Sequence, residues 1–446
     1  MALDSDLFHP DYVPEPYWWE AARPGTDHAT DLPASTEVLI VGSGYAGLSA
    51  ALELARNGRT ATVVEKDRFG EGASTRNGGG LSAGINLGKG ISGTPGQASK
   101  GEDHAKLIER LMVESAASLD LIETLVAREN IHCHFEKTGR FLGAYTAQHF
   151  EGFQAKAELI NRVTDAGATV LSRAEQRAEI ASDFYHGGIV IKKSAKLHPA
   201  LFHKGLLEAA HRAGARLCAE TEVSGIEGTA GNFTVRTSRG ECKAEQVIIA
   251  TNGYTGALTP GLRKRLIPVA SHIIATEKLP ADLAASLIPH GRTISETPRV
   301  LCYYRMSPDG TRMIYGGRAR FTQVGPDVSG SLLHRMMTDR FPQLKGTKIT
   351  HSWSGLVAFT NDFLPHMGQE KGLHYCLGCN GSGVGMLTYL GTQVAQRILQ
   401  DGRANTAYAT LDLPKVPVPF YDGRPWFLPV VGGYYRWLDK RDRRRE

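Results

Sequence analysis

The sequence lacks any apolar run long enough to cross a bilayer, and it has few cysteines. A transmembrane helix needs about 20 consecutive apolar residues, so no span is expected. The first residues carry no basic region followed by an apolar core, so no signal peptide is expected either. Six cysteines (Cys133, Cys218, Cys242, Cys302, Cys376 and Cys379) are scattered over 446 residues. That sparseness builds no disulfide framework and reads as reduced thiols in a cytoplasmic protein. Cys376 and Cys379 form a lone C-x-x-C. Without a second pair, a strand running into a turn explains both, and no metal is expected. Excess charge is missing as well. The net charge is +5, much of it in the last few residues, which does not describe a nucleic-acid binder. The length suits two or three domains with a large core.

What the chain does carry is a nucleotide-binding unit over residues 37–66. Val38 to Val41 form an apolar run that reads as a buried parallel strand. Gly42, Gly44 and Gly47 follow at G-x-G-x-x-G spacing around Tyr45 and Ala46. Leu48, Ala51, Leu52 and Ala55 then line one face of a helix. Asn57-Gly58 stops it, because glycine accepts a left-handed C-cap. Thr60 to Val64 forms a second strand and delivers Glu65. In such a unit Gly42 makes the tight turn, Gly44 lets the backbone approach a pyrophosphate, and Gly47 lets helix pack on strand. The helix N-terminus faces the phosphates with free N–H groups. The Glu65 carboxylate accepts the ribose hydroxyls. Glycine turns are common, but strand, glycines, helix, strand and acid stand here in the order the fold demands.

Three further stretches look like parts of the same site. Gly70 to Gly80 exposes backbone N–H groups, with Ser74, Thr75 and Arg76 as added donors. Gln246 to Ile249 reads as a buried strand ending in Ala250-Thr-Asn-Gly253 near the phosphates. Gly378-Cys-Asn-Gly-Ser-Gly-Val-Gly385 reads as a turn between a strand and a helix, whose N-terminus could stabilise negative charge on a reduced ring. Val300 to Met306 and Arg312 to Arg318 make a hairpin across a Pro-Asp-Gly turn. Alternation places Cys302, Tyr304 and Met306 on one face and Tyr303 and Arg305 on the other. Which face meets substrate is open at this point. His198 opens a helix with Pro199 in its first turn and reads as structural rather than as a base. Tyr17-Trp-Trp-Glu20 reads as an arm packed on the body. The aromatic and basic tail reads as packed on the body or on a second subunit, in preference to an anionic membrane.

Taken in order, these stations resemble the D-amino-acid oxidase and glycine/sarcosine oxidase superfamily of flavoproteins, over nearly the whole chain. Within it the arm, the Ser-Thr-Arg-Asn-Gly-Gly loop and the last glycine turn are most similar to γ-glutamylputrescine oxidoreductases. The resemblance implies an α/β fold: a Rossmann-type FAD-binding domain and an α+β substrate domain with a mixed or antiparallel sheet. The expected boundaries are an arm over 1–35 and an FAD-binding unit over 36–100, 195–260 and 351–410. A substrate unit takes 101–194 and 261–350, and a tail 411–446. It also implies that Gly42, Gly44, Tyr45, Ala46 and Gly47 hold the FAD pyrophosphate, with Glu65 and Lys66 at the ribose. Gly72, Ala73, Ser74, Thr75, Arg76, Asn77 and Gly78 would follow pyrophosphate and flavin, with Ala250 and Thr251 close by. Val223 would meet adenine, and Gly381, Gly383, Val384, Gly385 and Met386 the pyrimidine end of the ring.

Two departures shape the expected chemistry. Sarcosine-type oxidases attach flavin to a cysteine in the segment matching Gly355 to Thr360; none occurs here, so the FAD should be non-covalent. They also hold the substrate carboxylate with a lysine where this chain has Gly385, which favours a longer amine. The expected reaction is oxidation of an amine C–N bond by hydride transfer to flavin, giving an imine that hydrolyses. Oxygen or another acceptor takes the electrons. No catalytic base is named. Tyr303, Arg305, Arg318 and Trp353 are the substrate-pocket candidates. The rival enzyme reading is an oxidase of a secondary or cyclic amino acid such as pipecolate, proline or sarcosine. The rival from another class is a non-catalytic nucleotide-binding protein. Whether the chain forms homo-oligomers stays open.

Overall fold

The structure, a computed structural model, describes residues 5–82, 102–400 and 402–444. Residues 83–100, expected in the FAD-binding unit, lie outside the described residues. The nucleotide sheet grows around the strand Ser35–Val41. Its neighbours are Ala61–Val64 on one side, in register from Val38↔Ala61 to Val41↔Val64, and Gly240–Ile249 on the other, both parallel. Arg216–Cys218 extends one edge, and the antiparallel strands Asn232–Thr237 and Val223–Thr229 extend the other. Leu373–Leu377 joins the end of Gly240–Ile249 in parallel.

The apolar run at Val38 to Val41 is continuous because both faces are covered. Val38 and Ile40 pack beneath the helices, while Leu39 and Val41 pack into a second cluster with Val64 and Ile249. Three helices lie on the first face: Tyr45–Arg56, Pro199–Arg212 and Gly383–Ile398. The first and last approach at backbone distance, since a Cβ on Gly391 would stand 2.2 Å from the Ala46 carbonyl oxygen. Fully burying one such Val, Leu or Ile side chain contributes about 1.5–3 kcal/mol.

A second, nine-stranded sheet runs Phe8–Val13, Ile349–Phe359, Ile267–Thr276, Met313–Gly317, Cys302–Met306, Thr293–Glu296, Arg140–Gly143, Gly188–Ile191, Ala168–Leu171. It is mixed: most pairs are antiparallel, but the first strand pairs parallel to the second, and Thr293–Glu296 parallel to Arg140–Gly143. The hairpin forms as the Pro-Asp-Gly turn predicts, from Cys302↔Gly317 to Met306↔Met313. Tyr304 stacks on Tyr315 under the helix Pro326–Arg340, and the Glu296–Arg340 ion pair is buried beside them. Cys302, Tyr304 and Met306 face this core, so Tyr303 and Arg305 face the nucleotide unit.

Some elements differ from expectation. Sequence periodicity over about 148–166 predicts one helix, and the structure has two, Ala147–Glu151 and Phe153–Val163, broken at Gly152. Ile349–Phe359 is hydrogen-bonded into the larger sheet, although the turn and helix after it belong with the smaller one. The tail forms a helix, Leu428–Arg444, docked through Leu428, Gly432, Leu438 and Asp439. Asp439 accepts from the backbone N–H groups of Arg299 and Val300. Among the described residues no helix is long and apolar enough to cross a membrane.

Candidate active site

One cavity, about 1160 Å³, runs between the two sheets. Drug-sized pockets span roughly 300–1,000 Å³, so this one has room for a dinucleotide and a substrate. Its floor is the first glycine turn. Gly42 has φ +105°, and a Cβ there would meet the Ala250 carbonyl at 3.0 Å. A Cβ on Gly47 would stand 1.9 Å from the Gly42 oxygen, so only glycine lets the helix start so close to the strand. Gly44 caps the helix without a side chain; the Tyr45 amide donates to Ser74 Oγ at 3.1 Å, and the helix N-terminus otherwise faces the cavity. Glu65 is held ready: it accepts from Ser43 N at 2.9 Å and Ser43 Oγ at 2.8 Å. His203, from the second helix, donates to the Ser43 carbonyl at 2.8 Å. Burial pulls its imidazole down to about 4, so it stays neutral and fixes the turn from behind.

The Ser74 to Gly78 loop is clamped by three tryptophans from two distant segments. Trp18 Nε1 donates to the Asn77 carbonyl at 2.8 Å. Trp19 Nε1 donates to Thr75 Oγ1 at 2.9 Å, and its ring lies 4.5 Å below the Arg76 guanidinium. Trp353 Nε1 donates to the Arg76 carbonyl at 2.8 Å. Tyr45 adds its hydroxyl to the Ser74 carbonyl, and Asn77 Oδ1 accepts from Gly79 N. A loop with this many donors aimed at its backbone is rigid, which is what a cofactor-facing loop needs. The arm therefore packs on the body, as read from the sequence, and does so against the loop that borders the cavity. The indole N–H donors were the available signal, since a buried tryptophan seeks an acceptor.

The far wall joins two asparagine turns. Asn252, at φ +41°, accepts from Gly378 N and Cys379 N. Asn380, at φ +47°, accepts from Thr360 N and donates to the Gly378 carbonyl. Asparagine tolerates this left-handed backbone better than most residues. The turn leads into the helix Gly383–Ile398, whose positive end opens on the cavity. Ala250, Thr251, Gly381, Gly383, Val384, Gly385 and Met386 all line that wall, and Lys66, Val223 and Gly72 to Ser74 line the other end. Thr75 and Gly47 lie just behind the lining. This cradle, with its uncapped helix, side-chain-free glycines and poised carboxylate, fits the dinucleotide expected from the sequence.

The four substrate-pocket candidates separate. Tyr303 lines the cavity with its ring against Gly78 and its hydroxyl 2.8 Å from Ser271 Oγ; burial pushes the phenol up to about 12. Arg318 also lines the cavity. Its Nη1 donates to the Arg299 carbonyl at 3.2 Å, and its guanidinium lies 4.7 Å over the Phe359 ring. It forms no ion pair among the described residues, and burial draws it down to about 10. Arg305 lines the cavity as well; it is 2% exposed and donates to the carbonyls of Leu197, Gly79 and Met306, and its Nη2 has no hydrogen-bond partner among the described residues. Trp353 is turned away from the cavity to the Arg76 carbonyl. Sequence reasoning missed Arg140, which lines the cavity with Nε on Ser295 Oγ at 2.8 Å, and Tyr254, whose ring faces Gly72. Arg140 belongs to no recognisable motif, whereas Tyr254 closes the Ala250-Thr-Asn-Gly-Tyr254 stretch and was within reach of the sequence reading.

Comparison with known proteins bears on this geometry. The family profile described as FAD dependent oxidoreductase (DAO) matches residues 37–397. Gamma-glutamylputrescine oxidoreductase of Escherichia coli K12 is 32% identical over 409 residues, 91% of this chain and 93% of that protein. Glycine oxidase of Geobacillus kaustophilus shares the fold at a TM-score of 0.69, with 20% identity over 86% of this chain and all of that one. L-proline dehydrogenase of P. horikoshii does so at 0.66, with 19% identity, over 89% of this chain and 98% of that one.

Proposed function

This chain belongs to the FAD dependent oxidoreductase (DAO) family and binds FAD, and from that premise we propose that it oxidises an amine carrying a remote carboxylate, of the γ-glutamylated diamine class. The observation that carries the substrate class is Arg318: a half-buried guanidinium on the cavity wall with a carbonyl and an aromatic face for company, and no acid paired with it among the described residues. Such a cation is costly unless a ligand neutralises it, and its planar fork matches a carboxylate. The name of the 32% identical relative agrees with that class.

FAD, when bound, would supply the oxidising chemistry as acceptor of a hydride from the carbon that bears the nitrogen. The protein's part is positioning and dehydration. Val269, Leu301 and Phe359 give the cavity an apolar wall beside Tyr303 and Arg318. That wall favours the neutral amine, whose lone pair must be free, over its ammonium form. The acids lining the cavity (Glu65, Asp67, Glu71, Glu222 and Glu227) come from the nucleotide-binding segments, so no carboxylate base is assigned to the amine. The Tyr303 phenol stays protonated at working pH and can donate to the substrate. Arg318 fixes the distal carboxylate, which sets the depth at which the amine rests. Water then hydrolyses the released imine of the primary amine to an aldehyde and ammonia. Steady-state assay of γ-glutamylputrescine against proline, pipecolate and sarcosine tests the reading. Higher kcat/KM for the glutamylated amine is expected; preference for a cyclic or N-methyl amino acid would refute it.

A further inference from the structure

The C-terminal helix Leu428–Arg444 has two faces, and the fold uses one. Leu428, Gly432, Leu438 and Asp439 are buried against the larger sheet, with Gly432 tight against the Phe321 ring. Asp439 and Asp442 both pair with Arg299, which turns the helix acids toward the body. The opposite face carries Val430, Tyr434, Trp437, Arg441 and Arg444, spaced four, three, four and three residues apart, which is one stripe of an α-helix. Val430 is 74% exposed, and Tyr434 and Trp437 55% each. Tyr434 and Trp437 stack at 5.9 Å, and Arg441 lies 5.0 Å over Trp437 while reaching Asp442 at 3.5 Å.

The loop before the helix adds to the same character. Trp426 is 63% exposed. Phe420 is 99% exposed and holds φ +57°, a backbone conformation that a bulky residue rarely adopts. A strained loop that thrusts a phenylalanine into water has no folding benefit of its own. Lys440 and Arg444 flank the stripe and Arg436 lies to its side, half-buried; none of the three forms an ion pair among the described residues. Arg436 is lowered by burial and by the neighbouring cation Arg320.

We propose that this face is a peripheral docking surface for an anionic lipid membrane, with Phe420, Trp426, Tyr434 and Trp437 seated among the headgroups and the helix cations on lipid phosphates. Apolar rings on one half of a stripe and cations on the other are the pattern of a helix lying in a bilayer interface. A second copy of the chain fits the face poorly. A two-fold contact through this face would bring the cations Arg436, Lys440 and Arg444 toward the same cations of the second copy. The exposed apolar side chains number five, against the roughly 20–30 residues per side of a specific dimer. The docked helix packs through Phe427, Leu428 and Tyr435 on a cluster with Val269 and Phe359, two residues that line the cavity. The membrane would then lie about one helix diameter, roughly 10 Å, from that wall.

The test is co-sedimentation of the full FAD-loaded chain with phosphatidylcholine vesicles, with and without phosphatidylglycerol. Binding is expected with phosphatidylglycerol alone, and added salt should release it as screening shortens. Lys440→Glu should lower the partition roughly fivefold or more, since each basic residue near such a surface counts for about a fivefold change. The pair Tyr434→Ser and Trp437→Ser should lower it at least about tenfold through lost apolar area. Both variants should keep the flavin spectrum and amine turnover of the parent, which separates docking from folding. Yellow, folded protein that ignores phosphatidylglycerol vesicles at low salt would overturn the proposal. So would a dimer in sedimentation velocity that Trp437→Ser dissolves, because a second copy would then cover the face.

Discussion

Arg318→Met should weaken catalysis while leaving stability intact or improved, and the structure sets the size of both effects. Burial brings the Arg318 guanidinium from its ordinary value down to about 10. At about 1.4 kcal/mol per pH unit, that is of the order of 3 kcal/mol of unrelieved desolvation in the substrate-free protein. The Arg299 carbonyl and the Phe359 ring offset part of it. Methionine keeps a chain of similar length on Phe359 and removes the charge, so the melting point should hold or rise. Truncating one partner of a buried charge pair costs about 2–5 kcal/mol. Loss of the substrate carboxylate's partner should therefore lower kcat/KM for γ-glutamylputrescine by about 30-fold to several thousand-fold. Free putrescine, which has no carboxylate, should be turned over equally by both enzymes. The assay is steady-state kinetics on both amines beside a thermal melt. A variant that melts lower yet keeps its preference for the glutamylated amine would make Arg318 a structural cation and refute the reasoning.

Three other outcomes follow from named contacts. Trp19→Phe leaves the buried Thr75 hydroxyl, and Trp18→Phe the half-buried Asn77 carbonyl, without its donor, at about 1–3 kcal/mol for the buried one, so each should raise the FAD Kd, Trp19→Phe roughly tenfold or more, read by flavin fluorescence on dilution. Gly391→Ala places a methyl 2.2 Å from the Ala46 oxygen and should force the two nucleotide helices apart, lowering the yield of yellow protein and the melting point together. His203 titrates near 4 when folded and near 6.5 when unfolded, so the unfolded chain binds the extra proton between those values. Stability is full above pH 6.5 and declines toward pH 4, by up to about 3 kcal/mol from this residue. His203→Gln should flatten that decline, measured as urea midpoints at pH 7 and pH 5; an unchanged slope would assign it to the other buried histidines.

The parts of the site that were legible in the sequence are those built from neighbours in the chain. Gly42, Gly44, Gly47 and Glu65 declare themselves because strand, turn and helix follow one another within 30 residues, and Gly42 and Gly47 meet steric demands that a side chain would break. The hairpin around Pro308 is local in the same way. Alternation sorted Tyr303 from Tyr304 but not inside from outside, since sidedness depends on a helix more than 20 residues later. Arg305 and Arg318 are indistinguishable as residue types on one hairpin. Both line the cavity, and what divides them is that Arg305 donates to three backbone carbonyls and Arg318 to one. The tryptophan clamp joins residues 56 to 277 positions apart, and pattern alone carries no register over that distance. The sheet taken by Ile349–Phe359 was hidden for the same reason: an apolar strand suits either sheet, and its partner decides.

The central claim, an amine with a distant carboxylate oxidised by FAD in this cavity, meets its most direct test in anaerobic bleaching of the bound flavin by single amines. The account predicts that γ-glutamylputrescine decolourises the yellow enzyme faster than putrescine, proline, pipecolate or sarcosine, and that Arg318→Met erases this lead. Bleaching led by a cyclic or N-methyl amino acid, or a flavin that no amine decolourises, would contradict it.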